Sequence, residues 1–91
     1  HPSAAVCGTP TDIAADLIKR IEGISRGRYA GPVGWLDARG DGELGIALRC
    51  GQITDKEIQI FAGCGIVAGS NPEKELSESS AKFSPMRSAL S

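Results

Sequence analysis

The stretch Ala62–Lys82, AGCGIVAGSNPEKELSESSAK, decides the fold of the chain's C-terminal half. Its glycine-rich beginning predicts a turn that leaves a strand, and the following residues predict a helix. Along that helix Glu75, Glu78 and Lys82 are spaced i, i+3 and i+7, which places them within roughly 60° on one helical face. Two carboxylates and an amine therefore converge.

An apolar stripe borders this charged face and is expected to pack against a core. The border between the two faces is where a cleft can form. The alternative is a solvated acidic helix in which Glu78 and Lys82 form an ordinary i,i+4 ion pair. The stripe consists of Leu76, Phe83, Met86 and Leu90.

Length and composition predict one small domain with a thin core. The chain has 91 residues, of which 41% are hydrophobic, and its formal net charge is −1. That balance favours neither nucleic acid nor a membrane as a partner. The three cysteines lack CxxC spacing, so we expect no disulfide framework and no zinc site, and a cytoplasmic location. Because the chain begins at His1 rather than Met, we expect it to be processed or part of something longer.

Apolar periodicity and turn residues predict an α+β fold, an antiparallel three-stranded meander flanked by two helices. The predicted hairpin turns are residues 39 to 42, with the sequence RGDG, and residues 54 to 56. Thr9 is the predicted N-cap of the first helix and Gly23 its stop. Asn71 is the predicted N-cap of the final helix, which Pro85 should kink or end. The first helix spans residues 10 to 22, the strands span 32 to 38, 43 to 53 and 57 to 67, and the final helix starts at Pro72.

Arg49 lies on the predicted middle strand, on the face that also carries Gly45 and Ala47. Its guanidinium would have open space, which suits a grip on a carboxylate. Pairing with an acid across the sheet is an equally good interpretation.

Glycines recur between the third strand and the final helix as Gly63, Gly65 and Gly69. The spacing GxGxxxG and the antiparallel context argue against a dinucleotide site. Gly63 instead suits a backbone N–H donor to a ligand. Glu75 and Glu78 suit Mg²⁺, with Lys82 as a second cation, and the combination predicts a small, multiply anionic substrate.

Five motifs, in this order along the chain, resemble the C-terminal part of the chorismate-utilising enzymes, and within that family most closely the isochorismate synthases. The fold that this resemblance implies is a layered α/β sandwich of which residues 1–91 would be an incomplete part. The motifs are HPSAAVCGTP, RGRYAGPVGWLDARGDGE, IALRC, FAGCGIVAGS and ELSESSAK.

The resemblance implies roles for single residues. Glu78 matches the helix glutamate that binds Mg²⁺, and Glu75 matches a companion acid near that metal. Lys82 and Arg49 match the cations that bind the substrate's carboxylates, and Gly63 matches a backbone N–H contact. Three further positions match residues that line the substrate pocket, with alanine at the first of them typical of isochorismate synthases: Ala5, Tyr29 and Leu48.

The implied reaction adds water at C2 of chorismate and expels the C4 hydroxyl, giving isochorismate. In the family the lysine base, the glutamate acid and a further metal glutamate precede the segment that corresponds to this chain. We therefore expect no catalytic residue here and no activity of the chain alone. Its partner would be the missing N-terminal segment, or a second copy bound through the exposed sheet.

The sequence leaves two alternative functions open. One is a salicylate or anthranilate synthase-type member of the same family. The other is a non-catalytic interaction module in which the Glu/Lys helix is simply solvated. The downstream pathway, siderophore or menaquinone biosynthesis, is left open by the resemblance.

Overall fold

Seven secondary-structure elements form the chain in the computed structural model, which describes residues 1–91. They fall into two units, residues 1–46 and 47–91. The first unit contains α1 (Thr11–Glu22), β1 (Pro32–Leu36) and β2 (Gly42–Ile46), and the second contains β3 (Cys50–Ile53), β4 (Ile58–Phe61), α2 (Pro72–Lys82) and α3 (Ser84–Leu90). None of the helices combines the length and the apolar character that crossing a bilayer requires.

The helix α1 ends as predicted but begins differently. Gly23 follows it in the left-handed conformation, at φ 64°, which glycine adopts without strain. Pro10, and not Thr9, occupies the N-cap position, and no side chain caps the helix. The nearby hydroxyl of Thr11 donates to the carbonyl of Gly8 at 3.4 Å. The predicted Thr9 cap is therefore wrong by one residue, a usual error at helix ends.

The hairpin of β1 and β2 confirms the predicted turn. Asp37 closes it, because its carboxylate accepts from the backbone N–H groups of Arg39 and Asp41 at 2.9 and 3.0 Å. Gly40 takes a φ of 88°, which the turn requires. In the register of this hairpin Gly34 lies opposite Leu44, and Val33 lies opposite Gly45.

The α+β class is confirmed, but the three-stranded meander is not. The strands form two separate antiparallel pairs, β1 with β2 and β3 with β4. The predicted middle strand, residues 43 to 53, is interrupted by a bend at residues 47 to 49. At that bend the carbonyl of Ala47 accepts the thiol of Cys50 at 3.7 Å. An uninterrupted strand of that length exceeds the usual five or six residues, and side-chain alternation alone does not locate a break.

The second unit joins the β3–β4 hairpin to two consecutive helices. The predicted turn at residues 54 to 56 is confirmed by the Thr54 N–H, which donates to the Glu57 carbonyl at 2.9 Å. Asn71 caps α2 as predicted, since its side chain accepts from the Lys74 N–H at 3.1 Å. The helix stops at Phe83, and Pro85 lies in the first turn of α3, so the predicted break is also confirmed.

Very little of the chain is buried. Ala30 and Phe61 are the only buried apolar residues, and sixteen large apolar side chains are exposed. The accessible surface is 7296 Å², whereas a compact monomer of 9.4 kDa exposes about 5000 Å². The exposed apolar side chains include Leu44, Ile46 and Ile58 on the strands, Leu48 between β2 and β3, and Ile13, Leu17 and Ile21 on α1.

The close approach of the two strands at Gly34 gives a test of the first unit. A methyl group added there would overlap the backbone carbonyl of Glu43, so we expect Gly34→Ala to destabilise the hairpin by about 1 to 3 kcal/mol. Gly45→Ala in the same hairpin is the control, because its nearest neighbour, the Val33 carbonyl oxygen, lies 4.0 Å away. Urea unfolding followed by the fluorescence of Trp35, the single tryptophan, measures both. Equal midpoints for the two variants would contradict this register.

Candidate functional site

The charged face of α2 lies against the loop that leaves β4. The ammonium of Lys82 donates to the backbone carbonyl of Gly63 at 3.2 Å and pairs with the carboxylate of Glu78 at 2.8 Å. The structure therefore brings together three residues that the sequence placed in one site. The contact at Gly63 uses the carbonyl, however, and the contact of its N–H with a ligand stays a prediction.

Glu75 lies on the same side of α2, one turn before Glu78. It is half-buried, and the thiol of Cys64 donates to its backbone carbonyl at 3.4 Å. Leu76, which begins the predicted apolar stripe, is 68% exposed. The polar side of the helix thus faces the loop, because the glycine-rich loop offers backbone carbonyls that need donors.

Only the middle of the predicted apolar stripe is partly covered. Phe83 and Met86 are half-buried, and Met86 packs over Gly51 of β3. Leu90, at the end of the stripe, is exposed like Leu76. The prediction that the whole stripe faces a core is therefore wrong for the chain as it stands, because the break at Phe83 interrupts the helical periodicity on which the stripe depends.

The charges of Glu75, Glu78 and Lys82, here called the charged cluster, act on the thiol of Cys64. Hydrogen bonding to Glu75 raises its pKa, since donation requires the proton. Burial and the negative charges of Glu75 and Glu78 act in the same direction, and the positive charge of Lys82 opposes them. The sulfur therefore stays protonated near neutral pH and is a hydrogen-bond donor rather than a nucleophile.

In the sequence Cys64 stands out only as one of three cysteines without CxxC spacing. Its position between Gly63 and Gly65, in the loop already assigned to a ligand, was the signal that could have identified it. Because its two neighbours are glycines, Cys64 is the only residue of the Gly63–Gly65 segment with a side chain that can contact α2.

Arg49 and Leu48 lie at the bend between β2 and β3 rather than on a strand face. Both are exposed, and Arg49 makes no hydrogen bond or ion pair. The predicted setting of Arg49 among small residues of a sheet is therefore wrong, because the bend removes residues 47 to 49 from the ladder. The alternative, pairing with an acid across the sheet, is equally absent. The Arg49 guanidinium therefore has no acidic side chain of the chain as a partner.

Two predicted pocket residues lie in the first unit. Tyr29 is half-buried, and the Arg26 guanidinium lies over its ring at 5.3 Å from the centroid. That guanidinium also grips Glu22 through two hydrogen bonds, of 2.9 and 2.5 Å, which lower the pKa of the carboxyl group. Ala5 is exposed in a turn. The structure thus gives Tyr29 a fixed cationic neighbour.

Glu75 and Glu78 alone do not form a complete set of metal ligands. No group of three or more His, Cys, Asp or Glu side chains in the chain is arranged to hold a metal ion. Two carboxylates one helical turn apart nevertheless fit Mg²⁺, which is commonly held by one or two carboxylates, waters and substrate oxygens. Glu75 and Glu78 therefore fit as a partial donor set.

The contact between Lys82 and Gly63 leads to a prediction about stability. We expect Lys82→Met to lower the free energy of unfolding by about 1 kcal/mol, because the half-buried carbonyl loses its donor. Lys74→Met is the matched control, since Lys74 is exposed on the same helix and its side chain forms no ion pair. Thermal unfolding followed by far-ultraviolet circular dichroism compares them. If both variants unfold at the wild-type temperature, the hydrogen bond from Lys82 to the Gly63 carbonyl contributes nothing to stability.

The sequence profile of the family described as "Chorismate binding enzyme" matches residues 1–91. The chain is 50% identical to isochorismate synthase DhbC of Bacillus subtilis and 47% identical to isochorismate synthase MenF of the same organism. Each match covers 99% of this chain, but only 23% and 19% of the respective relative.

A solved structure agrees with the fold. The crystal structure of a Bacillus anthracis protein described as a 2,3-dihydroxybenzoate-specific isochorismate synthase, DhbC, superposes with a TM-score of 0.93 and 46% sequence identity. The match covers 99% of this chain and 24% of that one. The chain spans about a quarter or less of the length of these relatives. With its whole length matched by the family profile, it belongs to the chorismate binding enzymes.

Proposed function

We propose that this chain is the C-terminal part of an isochorismate synthase and supplies part of the site that converts chorismate to isochorismate. The names of the isochorismate synthases that the chain matches support the reaction. The observation that carries the proposal within the structure is the convergence of Lys82, Glu78 and Gly63 at one end of the β3–β4 hairpin. A solvated helix would leave Lys82 in water, whereas here it spans a carboxylate and a loop carbonyl.

The proposed substrate offers two anionic partners to the cations of the site. Chorismate carries two carboxylates, and Lys82 and Arg49 are the cations proposed to bind them. Arg49 is free of any protein acid, so its fork can accept a carboxylate with two parallel hydrogen bonds. The N–H of Gly63 is proposed as a further donor to the ligand, and the side chains proposed to line the pocket are Ala5, Tyr29 and Leu48.

Glu75 and Glu78 are the residues proposed to hold Mg²⁺. When bound, the ion would neutralise negative charge on the substrate and polarise it. The Glu78–Lys82 pair supports this proposal, because an ammonium already paired with a carboxylate attracts a second carboxylate only weakly. With Glu78 bound to Mg²⁺, the charge of Lys82 would be available to the substrate.

The chain alone is proposed to be inactive. The base that activates water, the acid that helps the hydroxyl leave and a further metal ligand are proposed to come from the rest of a longer protein. The same remainder is the proposed cover for the exposed apolar side chains, since patches of this extent in isolation mark an interface. The three free cysteines are consistent with a reducing, cytoplasmic location.

Activity in the longer protein tests the proposed site. We expect Glu78→Gln and Lys82→Met each to lower kcat/KM for isochorismate formation by about 100-fold or more, because each removes a charge that faces the ligand. Glu73→Gln and Lys74→Met, exposed on the same helix, should stay within about twofold of the wild type. Chelation of Mg²⁺ should abolish turnover. Unchanged activity of Glu78→Gln would refute its role.

Association tests the proposed incompleteness. The 91-residue chain should form no isochorismate, and light scattering at high concentration should show self-association through the uncovered apolar faces. When the chain and the remainder of the longer protein are produced as separate polypeptides, they should copurify and recover activity. A monomeric chain that gains nothing from the remainder would contradict the proposal, as would sustained turnover by the chain alone.

A further inference from the structure

Cys64 makes a contact that the proposed function does not use. Its half-buried thiol reaches across the loop of residues 65 to 70 to the carbonyl of Glu75, eleven residues further along the chain. It is the side chain that follows Gly63, whose carbonyl accepts from Lys82. Two successive residues of the loop are therefore each bonded to α2.

The two bonds meet α2 near its opposite ends. Glu75 lies in the first turn and Lys82 is the last residue, so the Cα atoms of these two residues are about 10 Å apart along the helix axis. A loop held at one point can swivel, whereas a loop held at two separated points keeps one orientation. The Gly63–Cys64 peptide is thereby held along the face that carries both acids.

The chemistry of the thiol suits a fixed donor. An S–H group is a weak donor to oxygen, and here it donates to the Glu75 carbonyl at 3.4 Å.

We propose that Cys64 is a positioning residue for the chorismate and Mg²⁺ site, holding the Gly63 loop against α2 through its hydrogen bond to the Glu75 carbonyl. The inference rests on the proposed function for the ligands concerned, but the contact itself does not. Without the bond the loop keeps only its attachment to Lys82, whose ammonium must also serve Glu78 and the substrate. Loss of the bond is therefore expected to weaken ligand binding and to leave proton transfer unchanged.

The test uses three single variants of the full-length protein. Cys64→Ala removes the donor and Cys64→Ser restores one. Cys50→Ala is the matched control, because Cys50 is also half-buried and also donates its thiol to a backbone carbonyl, that of Ala47 at 3.7 Å, but outside the cluster. Two measurements are made on each variant: steady-state kinetics with chorismate and Mg²⁺, and amide hydrogen exchange of residues 62 to 66 by mass spectrometry.

In Cys64→Ala we expect KM for chorismate and the Mg²⁺ concentration for half-maximal rate to rise by about 5- to 10-fold with kcat within about twofold, which is the pattern of lost ground-state binding. Exchange in residues 62 to 66 should accelerate because the loop opens more often. Cys64→Ser should recover both properties, and Cys50→Ala should change neither.

Three results would overturn the inference: unchanged KM and exchange in Cys64→Ala, failure of Cys64→Ser to recover either property, or the same changes in Cys50→Ala. Failure of the proposed function is distinguishable, because it would appear as a wild-type protein that makes no isochorismate. The exchange measurement would still report whether Cys64 holds the loop.

Discussion

The arrangement of the C-terminal unit depends on one cation with two oxygen partners. Lys82 closes α2 and reaches back to the carbonyl of Gly63, nineteen residues earlier, while pairing with Glu78 on its own helix. The i,i+4 pair alone would be worth only a few tenths of a kcal/mol. Its importance is geometric, because the same ammonium fixes where the end of the hairpin lies relative to both acids.

The local signals in the sequence predicted most of the elements. Asn71 capped α2, Gly23 ended α1, and Pro85 marked the break between α2 and α3, because each of these effects depends on residues within one turn. Gly40 and its neighbours likewise fixed the first hairpin. Caps and turns are predictable because the same few atoms decide them in any tertiary setting.

The pairing of strands was not predictable in the same way. Leu44, Leu48 and Cys50 all lie at even positions, so regular alternation would place them on one face of an uninterrupted strand. Instead the chain bends at residues 47 to 49, and the segments before and after the bend pair with different strands. Which strand becomes a neighbour is a non-local choice, and a regular alternation is compatible with either outcome. The setting assigned to Arg49 failed for that reason, since it assumed a continuous strand.

The proposed function gives one explanation for two features of the chain. Ala30 and Phe61 are the only buried apolar residues, and the two acids of α2 belong to no group of three or more side chains that could hold a metal ion. A self-contained binding module would be expected to bury more of its apolar side chains, because exposed apolar surface of this extent is unfavourable in water. In a protein several times longer, like the relatives that this chain matches, a single additional layer can supply both the cover and the ligands. Because the charged face of α2 is already held toward the loop by Lys82, that layer needs only to complete the site rather than to create it.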